Sequence, residues 1–190
     1  MDSADTSGAQ AAARNLFKCL NIDLPAETPE RFVKMIYDLT AYQNTTNKQI
    51  ADILDKTFEI GSSTDSKSMV LIKDIDAFSI CEHHIALMYD MKISIGYIPR
   101  GFVLGISKIV RLVDMVCKRL QLQEKIGNDI IEIMNILTKG PDIAVHIKAK
   151  HSCVAARGIN NVSAETVTTN FSGIFAKNDA ASSSFFSVLK

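Results

Sequence analysis

The stretch Ser79 to Asp90, SICEHHIALMYD, sets a thiol, a carboxylate and two imidazoles side by side at Cys81, Glu82, His83 and His84. Much later, KAKHSCVAARG adds His151, Cys153 and Arg157. Thiolate sulfur and imidazole nitrogen are zinc ligands. Cys81, His84 and Cys153 would supply two sulfurs and one nitrogen, the three-ligand set that leaves a fourth position open, as catalytic rather than structural zinc sites do. Such a metal makes water a nucleophile near neutral pH. A turn or helical start would bring Cys81 and His84 together at i, i+3 and aim Glu82 and His83 elsewhere. In a strand, His151 and Cys153 would share a face. Free cysteine is also among the most buried residue types, and a lone histidine is commonly a hydrogen-bonded core residue, so spacing leaves a metal centre and ordinary packing both open. Cys19 and Cys117, in helical apolar stretches, read as core, and His146 as an exposed strand residue.

A second group suits anions. GISKIVR places Ser107 at a helix start, with Lys108 in its first turn and Arg111 three residues on. Free N–H groups and the positive end of the dipole there can hold a phosphate, with Arg157 joining from the strand side. A solvated basic helix start is the plainer account of the same residues. In QLQEK, Gln123 and Glu124 stand together; a carboxylate can accept two N–H bonds from guanine, although a surface glutamate has no need of one.

These groups need a frame. At 190 residues and 47% hydrophobic content the chain can bury a sizeable core, as one domain or one domain with a helical extension. Lys+Arg and Asp+Glu both total 21, so no bulk charge holds a nucleic acid. No apolar run approaches the roughly 18 residues of a membrane span, and MDSADTSGAQ lacks the basic start and apolar core of a signal peptide. A cytoplasmic location is expected. The four cysteines lack a framework spacing and would stay reduced there.

Helical periodicity predicts an N-terminal helical section over residues 1–60: from Gln10 through LNI, then a helix over ETPERFVKMIYDL with Thr28 as cap and Pro29 at its start, then TNKQIADIL. Ile60 to Ser68, IGSSTDSKS, reads as a linker. Residues 61–190 are then expected to form an α+β domain with an antiparallel sheet: strands in MVLIKDIDAFSI and MKISIGYIP, about 30 residues of helix from Ser107 to Thr138 broken near RLQLQE, and strands in IAVHIKAKHSC, ETVTTNFSGIF and SSSFFSVL. Gly140 and Pro141 are the expected stop of the helical stretch.

In this order ETPERFVKM, CEHHIALMYDMKISIGYIPRG, VLGISKIVRLVDMVCKRLQLQEKI, IAVHIKAKHSCVAARGI and SAETVTTNFSGIF resemble GTP cyclohydrolase I over most of residues 27–175. The resemblance implies a tunnelling fold (T-fold), two antiparallel strand pairs with a helix pair on one side, closing into a barrel on association. It also implies a homodecamer of two stacked pentamers with sites between subunits. Cys81, His84 and Cys153 would bind Zn2+, and water would attack C8 of GTP. His151 would pass protons to the opening imidazole ring, and His83 would stand by the ribose. Formate and 7,8-dihydroneopterin triphosphate would be released. Ser107, Lys108, Arg111 and Arg157 resemble a triphosphate cradle, Gln123 and Glu124 a guanine-reading edge, and Glu82 a supporting residue behind the ligands. Leu87, Met88 and Asp90 stand where many members carry Pro-Phe and then glycine, and a common arginine near the C-terminus is replaced in ASSSFFSVLK. An inactive paralogue using zinc at a subunit interface, and a cyclohydrolase giving another pterin product, are the competing functions.

Overall fold

The computed structural model describes residues 6–55, 57–59 and 68–189, so the expected linker, apart from Ser68, lies outside the described residues. The chain divides into two compact units, residues 1–41 and 42–190.

The first unit is a helix pair, α1 (Thr6–Cys19) and α2 (Thr28–Leu39), joined where Phe17 meets Phe32 edge to face at 5.9 Å. Helix α1 starts at Thr6, ahead of the expected Gln10. Glu27, not Thr28, stands at the N-cap position of α2 and makes no side-chain capping hydrogen bond, while Pro29 occupies the first turn, where its missing N–H costs nothing. Cys19, expected in the core, is exposed, because α1 buries only Ala13 among its described residues.

The second unit opens with α3 (Asn47–Leu54), started by a reciprocal capping box between Thr46 and Gln49. Strands β1 (Thr57–Glu59), β2 (Val70–Cys81), β3 (Ala86–Tyr97) and β4 (Phe102–Leu104) follow. Helix α4 (Ile106–Cys117), strand β5 (Leu120–Gln121) and helix α5 (Gln123–Thr138) come next, confirming a break at RLQLQE. Then come β6 (Ile143–His151), α6 (Ser152–Ala155), β7 (Thr166–Phe171), α7 (Ile174–Lys177) and α8 (Asp179–Leu189). The main sheet runs β5-β2-β3-β6-β7, antiparallel except for the short β2–β5 pairing. Two antiparallel pairs, β2–β3 and β6–β7, thus enclose α4 and α5 in sequence, which is the tunnelling-fold arrangement.

Helical spacing places Ile109, Leu112, Val113 and Val116 of α4 and Ile126, Ile130, Ile133 and Met134 of α5 on buried stripes. They form one core with Met91, Ile93, Ile95, Val145 and Ile147 of the sheet. Helix α5 ends on Lys139 in the left-handed conformation, φ 53°, one residue before the expected Gly140.

Three expected strands are corrected. ETVTTNFSGIF is a strand only over Thr166–Phe171, and Ile174–Lys177 is helical as α7. IAVHIKAKHSC is a strand only to His151, and Ser152–Ala155 turns into helix, so His151 and Cys153 do not share a strand face. SSSFFSVL is helical within α8: Phe185 is fully buried with Ala181 and Leu189 packed beside it, an i−4, i, i+4 stripe that the adjacent Phe185 and Phe186 disguise as alternation.

Candidate functional site

Register brings the two motifs together. Cys81 is the last residue of β2 and pairs with Ala86 across the turn that holds His83 and His84. Two residues along β3, Met88 pairs with His151 at the end of β6. The ends of β2 and β6 therefore lie at one end of the sheet, and α6 lays Cys153 beside them. The ligand atoms of Cys81, His151 and Cys153 lie within 4.8 Å of one another. Cys81 is buried, and the other two are half-buried.

Both expected sulfurs meet there, and the imidazole brought against them is His151. His84 is exposed on the turn, its ring edge to face with that of His83 at 6.4 Å, and stands outside the donor group. The turn ends on Ile85 at φ 51°, a left-handed conformation that is strained for a β-branched residue and that reverses the chain into β3. Two thiols and an imidazole converging on one point are a donor set that fits zinc.

His151 Nε2 lies 2.8 Å from Gln123 Oε1. Gln123, the first residue of α5, is 1% exposed, and its amide nitrogen donates to Thr166 O at 3.1 Å and Thr168 Oγ1 at 3.3 Å. The expected guanine-reading pair is thus split: Gln123 is committed to the sheet and to His151, while Glu124 is exposed with no side-chain hydrogen bond among the described residues. Burial holds the His151 pKa below the ordinary histidine value, partly offset by the Glu124 carboxylate. Glu82 is exposed; its backbone N–H donates to Gln121 O at 3.3 Å, and its carboxylate bonds to none of the described residues.

Behind Cys81 lies a support that the motifs did not reveal. Arg119, 6% exposed, donates to Tyr42 O, Thr45 O, Asn47 Oδ1 and Asp129 Oδ2, and its own carbonyl accepts from Ser79 Oγ. This network fixes β5 against the end of β2. Its sequence signal is the alternation in RLQLQ, which puts three buried polar residues, Arg119, Gln121 and Gln123, at i, i+2, i+4.

Ser107, Lys108 and Arg111 occupy the first turns of α4, and Arg157 follows α6. None of their side chains has a hydrogen-bond or ionic partner among the described residues, so all three cations are available to an anion. Two of the departures acquire a physical meaning. Asp90 sits at φ 52°, where glycine is free of strain and Asp is tolerated, and its carboxylate pairs with Lys150 at 2.9 Å. Met88 is fully buried in the core and pairs with Ser79 as well as His151, whereas Leu87 is partly exposed. His146, expected to be exposed, is half-buried against Thr169 Oγ1 and the Phe186 ring.

The family model for GTP cyclohydrolase I matches residues 9–190. A GTP cyclohydrolase 1 of Ruminiclostridium cellulolyticum is 49% identical over 151 residues, covering 78% of this chain and 77% of the relative. That of Clostridium acetobutylicum is 42% identical over 183 residues, covering 94% of each, and that of Clostridium beijerinckii 42% over 182 residues, covering 92% of each. With the motifs meeting at one end of the sheet and the match running nearly end to end, the chain belongs to the GTP cyclohydrolase I family.

Proposed function

We propose that the chain hydrolyses GTP at guanine C8 and yields 7,8-dihydroneopterin triphosphate and formate, the entry step to pterin and folate compounds. As a member of this family it is a hydrolase. The observation that carries the reading is the convergence of Cys81, His151 and Cys153 from motifs far apart in sequence.

Zn2+ is the metal that two thiolates and an imidazole suit; Cys81 and Cys153 would hold it, with His84 of the adjoining turn as the third ligand and His151 kept for proton transfer. Bound there, zinc supplies the Lewis acidity that makes water nucleophilic at neutral pH. His151, half-buried and anchored on Gln123, handles protons at the imidazole ring of guanine as it opens. His83 stands by the ribose. Ser107, Lys108, Arg111 and Arg157 hold the triphosphate, supported by their unpaired cations, and Glu124 reads the guanine N–H edge. A carboxylate facing those donors disfavours adenine, which would leave it unpaired. Glu82 steadies the turn. In this reading residues 61–190 form the catalytic domain and residues 1–60 serve assembly into a decamer of two stacked pentamers. A cytoplasmic location agrees with the finding that no described helix is long and apolar enough to cross a membrane.

The test is incubation of metal-replete protein with GTP, with formate assayed and the product identified by mass. Formate with dihydroneopterin triphosphate is expected. A different product mass would reassign the reaction, and intact GTP with retained zinc would leave only a structural role for the metal.

A further inference from the structure

The side-chain amide of Gln123 cannot be turned around. Its nitrogen faces Thr166 O at 3.1 Å and Ile147 O at 3.4 Å, both of which only accept. Flipping the amide would set its oxygen against two carbonyl oxygens. The amide oxygen must therefore be the atom 2.8 Å from His151 Nε2, and an amide oxygen only accepts. His151 Nε2 then carries the hydrogen, and Nδ1 keeps the lone pair.

We infer that Gln123 is a positioning residue: it holds His151 as the Nε2–H tautomer, so that Nδ1 is the nitrogen presented for proton transfer. The inference rests on the proposed use of His151 and assigns Gln123 a task other than reading guanine. Three features support it beyond the single bond. Gln123 is 1% exposed, so little of it is open to a ligand. Both amide hydrogens have acceptors on β6 and β7, which ties the side chain to the strand that carries His151. Its backbone starts α5, whose buried stripe locks that end of the helix to the sheet. A histidine that must lend one nitrogen needs the other held, and tautomer control by a fixed acceptor is the general means.

The chain has four histidines, so 15N-histidine labelling with solid-state NMR of the assembled, zinc-loaded protein resolves the ring nitrogens, with His151→Ala identifying the relevant pair. Protonated Nε2 and unprotonated Nδ1 are expected at neutral pH. Protonated Nδ1, or a mixture, in the wild-type protein would overturn the inference, whether or not any variant folds. In Gln123→Met the tautomer should become mixed. Its kcat for GTP should fall about 10- to 100-fold while KM stays within about threefold, as for a misoriented acid–base group. A raised KM at unchanged kcat would return Gln123 to the guanine edge, and unchanged values of both would remove its role. Absence of GTP turnover in the wild-type protein would sink the proposed function but leave the tautomer measurement standing.

Discussion

At the scale of residues, the histidines carry the sharpest question. Cys81 and Cys153 are the two sulfurs that converge, yet the imidazole grouped with them is His151 while His84 stands exposed on the turn. If His84 is the ligand and His151 the proton carrier, His84→Ala should lose most bound zinc, as should Cys81→Ser and Cys153→Ser. His151→Ala should keep zinc and lose roughly 100-fold or more in turnover. Metal analysis beside a GTP assay checks this, and the reverse pattern would make His151 the ligand. Asp90 offers a second test. At φ 52° glycine carries no penalty, so Asp90→Gly should unfold at the same temperature as wild type or higher, whereas Asp90→Ala should unfold lower, having neither the backbone freedom nor Lys150's partner. The ligand types and their order along the chain were legible in CEHH and HSC. What was not legible was which imidazole would meet the sulfurs, because that depends on a left-handed Ile85 and on a strand that stops at His151, and neither leaves a local signal.

At the scale of elements, the C-terminal helix shows where reading by pattern fails. SSSFFSVL carries too few polar breaks to tell period two from period 3.6, and only the docking of Phe185 against Phe171 and Phe175 decides it. Phe185 also touches the place where a Cβ at Gly96 would sit, 2.8 Å from its ring, so the strand is bare there to admit the helix. Phe185→Ala should cost about 3 kcal/mol, the range for a fully buried phenylalanine. Urea unfolding followed by circular dichroism measures it, since the chain has no tryptophan. Docking should also respond to pH. His146 packs on Phe186, and burial, with Lys148 adding to it, holds its pKa below 6.5, against the weaker pull of Glu165 and Asp74. The unfolded chain then binds the proton more readily. Stability is full above the unfolded value and is lost as pH falls through the lower folded one. His146→Gln should flatten that part of the stability profile. The helices and strands in the middle of the chain were legible because α4 and α5 keep unbroken apolar stripes and β2, β3 and β6 keep β-branched runs.

At the scale of the whole molecule, the sheet is open at both ends of its order. Beyond β7 no described strand pairs, and β2 is covered on its outer side only at Ile80 and Cys81 by β5. Unpaired edges of this length invite a neighbour, and the ring of subunits proposed above would close them. Alternation predicts which groups the edge offers. Ser172 N–H donates inward to Ile143 O, so the N–H groups of Asn170 and Thr168 also face β6, and those of Thr169 and Val167 face out. Val167 is 51% exposed, so replacing it removes little buried packing. Val167→Pro removes one outward donor and leaves the β6–β7 ladder whole, whereas Thr168→Pro breaks the ladder itself. Sedimentation should show Val167→Pro as smaller species with the circular dichroism of the wild type, and, if the proposed assembly completes the sites between subunits, with GTP turnover lost. Wild-type specific activity should likewise fall on dilution below the assembly concentration, by mass action. An active Val167→Pro monomer would mean that Cys81, His151 and Cys153, with the basic start of α4, suffice within one chain.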